Sequence, residues 1–183
     1  NYVLVNPNWD NGAAVDAGAV TWGSGTSGVT GVVSASNSLV GGQANDLVGI
    51  GRVTALGNGN YVVTSSDWSN GVATGAGAVT FGNGIHGTTG VVSAANSIIG
   101  TQANDHIGER GIFELTNGNY VIVSPDWHNG AISGAGAVTW GNGASGSAGV
   151  INAGNSLVGI SSGDRVGAGG IQVLANQNYV VSS

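Results

Sequence analysis

The chain has 183 residues, 36 of them glycine; only 7% carry charge, and three arginines without a lysine stand against nine acidic residues, for a net charge of −6. So few cations exclude the many phosphate contacts of a nucleic-acid surface and any strong pull toward an anionic membrane. With 41% hydrophobic residues in short valine-rich runs the chain can bury a core, which excludes disorder, and no run approaches the roughly 18 apolar residues of a spanning helix. The absence of cysteine excludes a disulfide scaffold and leaves secretion open. Residue 1 is asparagine and no signal peptide is visible, so the chain reads as a processed product or an excerpt of something longer.

The opening phrase "NYVLVNPNWDNG" returns as "NYVVTSSDWSNG" at Asn60 and "NYVIVSPDWHNG" at Asn119, and "NYVVSS" begins at Asn178. Each step is 59 residues, without insertion. Other landmarks keep the same step: "AGAVTW" at Ala17, "AGAVTF" at Ala76 and "AGAVTW" at Ala135; "NDLVG" at Asn45, "NDHIG" at Asn104 and "GDRVG" at Gly163. The units are therefore 1–59, 60–118 and 119–177, with 178–183 starting a fourth.

The second unit and its lead-in resolve into four apolar runs: "GRVTAL" (51–56), "NYVVTS" (60–65), "GAVTF" (77–81) and "TGVVSAANSIIG" (89–100). They are too short for ordinary helices and rich in valine, threonine and aromatics, which suit a pleated surface. Between them lie Asn58-Gly59, Asn70-Gly71 and Asn83-Gly84, pairs that tolerate the positive φ of tight hairpins. The reading is all-β, four antiparallel strands per unit, the pattern of a β-propeller blade. A parallel β-solenoid of about three coils per unit is the rival fold, and the hairpin signals argue against it.

"NDLVG…RVTALGNGNYVVTSSDWSNGVATGAGAVTFGNG" resembles the FG-GAP repeat, the blade of integrin α-chain propellers. "LVG", "HIG" and "RVG" sit at the Phe-Gly position, "VNP", "TSS" and "VSP" near the Gly-Ala-Pro position, and "GAVTW" matches the third strand. The resemblance implies propeller blades, often with a calcium loop of aspartates between the first two strands. Here that hairpin is "LGNGNY", "LTNGNY" or "LANQNY", without a carboxylate, so no calcium or other metal and no cofactor is expected. The units also look like tandem repeats of large, secreted, filamentous-haemagglutinin-like bacterial proteins, which implies a secreted or cell-surface location. Three blades are fewer than the usual four to eight, so chains are expected to join into a ring or to belong to a longer array.

A site built into the fold should recur once per unit. His86, His106 and His128 do not recur, and each reads as a solvated surface residue. No nucleophile elbow and no recurrent pair of carboxylates is present, so no catalytic residue is assigned and the protein reads as a non-enzyme. Asp46, Asp105 and Asp164 do recur, and read either as turn residues capping backbone N–H groups or as weak cation or ligand contacts. Trp9, Trp68 and Trp127 recur in polar loops, either as blade-packing anchors or as a stacking platform for a glycan. Trp22, Phe81 and Trp140 accept phenylalanine and read as packing. The expected function is a structural or adhesive extracellular repeat protein that associates with copies or further repeats of its own kind; a lectin-like propeller is the alternative.

Overall fold

A computed structural model describes residues 1–183 and contains fifteen strands and no helix. In chain order these are β1 (Tyr2–Asn6), β2 (Ala19–Gly23), β3 (Ser38–Val40), β4 (Arg52–Ala55), β5 (Tyr61–Ser65), β6 (Ala78–Gly82), β7 (Gly90–Val91) and β8 (Ser97–Ile99). They continue with β9 (Ile112–Glu114), β10 (Tyr120–Ser124), β11 (Ala137–Gly141), β12 (Gly149–Val150), β13 (Ser156–Val158), β14 (Gly170–Val173) and β15 (Tyr179–Ser182). The second sheet is an antiparallel meander, β4-β5-β6-β8. The third repeats it as β9-β10-β11-β13, the first holds β1-β2-β3, and β14-β15 begin a fourth. The first strands of the second, third and fourth sheets, β4, β9 and β14, therefore come from the end of the preceding 59-residue period, and the first sheet lacks this strand.

The run 89–100 is not one strand. It divides into β7 and β8 around a turn, and β7 leaves its own sheet to pair in parallel with β3 of the first. β12 does the same with β8. Parallel pairing is limited to these short links and one isolated bridge, Gly77–Ile107; a parallel solenoid would need it along every coil.

The Asn-Gly pairs do three different things. At 57–59 the reversal is a three-residue loop: Leu56 N–H donates to Asn60 O at 2.8 Å, Gly59 N–H donates to Leu56 O at 2.9 Å, and only the glycine is left-handed, at φ +88°. Gln177 takes the equivalent place at φ +72°. Asn70 exchanges backbone hydrogen bonds with Ala73 across Gly71 and Val72, a tight reversal inside the long β5–β6 loop. Asn83 folds its Oδ1 back onto the N–H groups of Ile85 and His86, forming an Asx turn.

Sheets stack face to face. Alternate residues of a strand point to opposite faces, and here both faces are buried. Tyr61, Val63, Ala78 and Ile99 pack with Val20, Leu39 and Val48 of the first unit. Val62, Val79 and Ile98 pack the other way, with Tyr120, Ile122 and Ala137 of the third sheet. Between the third and fourth lie Leu115, Val121 and Val138, with Ile171 and Val181 against them. Thr80 and Ser97, facing each other across β6 and β8, bond through their hydroxyls at 2.7 Å, as Thr21–Ser38 and Thr139–Ser156 do, so the buried polar groups of this ladder satisfy one another.

The glycine of "AGAV" is required twice over. Gly77 sits at φ +77°, and a Cβ there would lie 2.1 Å from Ile107 N; Gly18 and Gly136 repeat both features. This close approach docks the loop that follows β8 under β6. Gly71 is also left-handed, at φ +63°, but has nothing within 4 Å of a Cβ. Gly77→Ala is therefore expected to destabilise by about 3 kcal/mol or more, combining backbone strain with overpacking, while Gly71→Ala costs only about 1 kcal/mol for its backbone. Urea unfolding of the two variants checks the difference.

Candidate functional site

The features that recur at the 59-residue step converge on the junctions between sheets. The loop after β5 carries Trp68, whose N–H donates to Ser65 O and whose carbonyl accepts from Gly77 N–H. The loop thereby folds back and inserts the indole. Trp68 is 5% exposed within the core between the first and second sheets, and Trp127 is 4% exposed between the second and third. Trp9 is half-buried on the outer side of the first sheet and belongs to neither core. Thus the indoles of Trp68 and Trp127 serve as packing between sheets, with their faces covered by protein. Trp127 Nε1 and Tyr120 OH are buried without a partner, and burial pushes the Tyr120 hydroxyl up to about 12. Burial also raises Tyr61.

The recurrent aspartate ties two sheets together. Asp46 Oδ2 accepts from Gly42 N–H and Gln43 N–H, both at 2.8 Å, which closes its own turn. Its Oδ1 accepts from Ser69 N–H of the next unit at 3.0 Å. Asp105 repeats this with Thr101 and Gln102, and its Oδ1 takes both the backbone N–H and the ring Nδ1 of His128, each at 2.9 Å. Both aspartates are fully buried. Asp164 makes only the two bonds within its turn, to Ile160 and Ser161, and is exposed. Burial, which outweighs the three N–H donors, raises the pKa of Asp46. The Asp46 and Asp105 carboxylates are occupied by backbone and shielded from solvent, so they brace the junction and present no open ligand to a cation.

Amides complete the stitching. Gln43 Nε2 donates to Ser69 O at 2.9 Å, and Gln102 Nε2 donates to Gly130 O at 2.7 Å. At the opposite end of the sheets, Asn58 and Asn60 both donate to Gly143 O, and Glu114 Oε1 accepts from Gly57 N–H. Trp22 Nε1 reaches Gly84 O at 3.2 Å, and Gly87 lies against its ring; Phe81 lies against Gly146 in the same way, without the N–H bond.

Histidine is where sequence reasoning missed most. His128 is part-buried on Asp105, and His106 Nδ1 lies 3.2 Å from Ser66 O and 3.8 Å from Asp67. Arg165, at the position of His106, pairs with Asp126, at the position of Asp67, at 2.7 Å. The recoverable signal was covariation between these two positions, visible only once the fold brings them together. Nearby, Glu109 is raised by burial and by its hydrogen bond to Asp126. His86 contacts only its own turn, through Gly87 O and Asn83. No three acidic or histidine side chains converge as a metal site requires.

Two clefts open between the first and second sheets. One, of about 260 Å³, is lined by Tyr2, Val3, Trp22, Val53 and Tyr61, without carboxylate, histidine or arginine. The other, of about 330 Å³, lies beside Gln43, Asp46, Trp68 and Asn70.

The family described as a repeat of unknown function (DUF5650) matches the chain three times, over residues 1–50, 55–109 and 114–168. No curated protein matches.

Two outcomes follow from the carboxylates. Asp105→Ala strands several buried N–H donors and should destabilise by about 3 kcal/mol or more, measured by urea unfolding. Because Asp46 binds its proton more tightly in the folded state, the stability this proton contributes is fully present below the unfolded value near pH 4 and is lost as pH rises through the raised folded value. The stability of the parent protein minus that of Asp46→Asn should therefore fall across that window; unfolding free energies at a series of pH values check the sign.

Proposed function

The chain belongs to the DUF5650 repeat family, and we propose that it is a non-enzymatic stacking module whose units act as blades of β-propeller type and associate end to end with others of their kind. The observation that carries this reading is the contrast between internal and terminal faces. Tyr61 and Val63 are 5% and 1% exposed, whereas Tyr2 and Leu4, at the same positions of the first sheet, are 41% and 55% exposed. At the other end Leu157 is 57% exposed, against 3% for the equivalent Ile98. The interface used twice inside the chain is thus open at the first sheet and only part-covered at the third, where β14 and β15 bury Leu115, Val121 and Val138 and leave Leu157 exposed, so a further unit fits the first face as it stands and the second by completing the fourth sheet.

Lateral association is discouraged on the rim formed by β7 and β12. Those strands are two residues long, and Asn37, Asn96 and Asn155 donate to the carbonyls of Val32, Val91 and Val150. Blunting an edge in this way guards against strand addition and leaves the faces as the route of growth. A closed ring of four to eight blades and an open stack are the two products of such growth. A structural or adhesive role outside the cell accords with the low charge, the absence of lysine and the likeness to repeats of large secreted proteins.

The test uses one variant per face. Leu4→Asp spoils one face and Leu157→Asp the other. Light scattering from about pH 4.5 to about pH 7.5 should show association of the parent chain, loss of higher species in each variant alone, and recovery of a capped dimer on mixing the two. A parent chain that stays at the 17.8 kDa monomer mass throughout overturns the proposal.

A further inference from the structure

We infer that a cleft between the second and third units, beside Phe81, is a subsite for one neutral pyranose ring. The cleft measures about 260 Å³ and lies at the end of the sheets away from the inserted tryptophans. Phe81, Thr88 and Asn96 line it from the second unit, and Ser145, Gly146 and Ser147 from the third. All six stand well inside the chain, and the inference does not depend on stacking between copies.

The residue at position 81 accounts for the opening. In the first unit the same position is Trp22, whose Nε1 donates across the junction to Gly84 O at 3.2 Å. Its ring lies against Gly87, and no cleft opens there between Trp22, Asn37 and the loop 86–89. At the second junction the Phe81 ring lies against Gly146 in the same way, but it has no N–H to give to the equivalent Gly143 O, which Asn58 and Asn60 take instead. The shorter ring leaves room that the first unit fills with its own side chain.

The lining selects the ligand. Phe81 is half-buried and offers part of an aromatic ring. Around it stand polar groups with hydrogen-bonding capacity to spare. Ser145 gives its backbone N–H to Asn142 Oδ1 at 3.0 Å, while its hydroxyl makes no bond within the protein. Ser147 Oγ accepts from Asn142 N–H at 3.0 Å and keeps its own proton to give. Asn96 Nδ2 gives one hydrogen to Val91 O at 3.0 Å and has a second. No charged side chain lines the cleft. An ion seated there would lose water without gaining a counter-charge. A purely aromatic ligand would cover the hydroxyls without pairing them. A sugar ring avoids both costs: its C–H face packs on the phenyl ring, and its hydroxyls both give and accept. The volume falls below the roughly 300 Å³ at which pockets for larger ligands begin, so it holds a single ring.

Saturation-transfer difference NMR of the full chain tests this with glucose, galactose and N-acetylglucosamine, each beside its methyl β-glycoside. At least one sugar should bind saturably, with a dissociation constant on the order of 1 mM, as expected for one ring contact and a few hydrogen bonds. A methyl glycoside that binds as its free sugar does assigns the subsite to the last sugar of a glycan. Binding of the free sugar alone assigns it to a monosaccharide, and either result supports the subsite. Phe81→Trp, which installs the first unit's residue, should abolish the signal while keeping the parent's unfolding midpoint. Ser145→Ala, at an exposed position, should weaken binding about fivefold and keeps the test decisive if the indole is not accommodated. Ser27→Ala, at the same position of the first unit, should leave binding unchanged. The subsite is overturned if no sugar gives a saturable signal, if folded Phe81→Trp binds as the parent does, or if Ser145→Ala and Ser27→Ala have the same effect.

Discussion

The rest of the structure depends on the burial of both faces of one thin sheet. A strand of five residues exposes its side chains alternately up and down, and in β5 and β10 every residue is buried. A chain of this kind has no single core. It has a succession of cores, each made half by one unit and half by the next. Tyr61 and Val63 complete the first unit, and Val62 is completed by the third sheet. Stability is therefore a property of neighbours, as in other repeat architectures.

Thin sheets packed this closely leave little room, which explains the glycine content in physical terms. The Tyr61 ring lies flat over Gly82 on the paired strand, where a Cβ would come within 2.0 Å of it, and Tyr120 covers Gly141 in the same way. Removing side chains from one strand makes space for an aromatic ring on the next. The few buried polar groups are handled just as locally: hydroxyls pair within a sheet, and Asp46 and Asp105 each take backbone N–H groups from two units. Charge is then almost dispensable, in keeping with its scarcity in the composition.

This economy also bears on activity. Loops are held to one length by the 59-residue step, and their polar residues are engaged in joining units. Within a unit, Arg165 with Asp126 stands against His106 near Asp67; at the joints, Ser69 stands against His128. Variation there changes how one unit meets the next while leaving the sheet intact.

The sequence by itself determined the repeat, its period, the all-β class and the first three strands of each sheet's meander, because strand alternation and turn chemistry act over a few residues; the run 89–100, read as one strand, is two. It also singled out Trp68, Trp127, Asp46 and Asp105, because a residue used by every unit recurs at the period. Only the tertiary structure decided what those residues do. Whether an indole binds or packs depends on what lies against its face, and here that is another sheet. The departure of β7 to the neighbouring sheet, the part-buried place of His128, and the difference between Asn58-Gly59 as a bulged loop and Asn83 as an Asx turn were not legible either. Each depends on a partner from a different unit or on hydrogen bonds that identical local sequence does not specify. For β7 and His128 the information that sets them lies in contacts tens of residues apart, where pattern within a strand carries no signal.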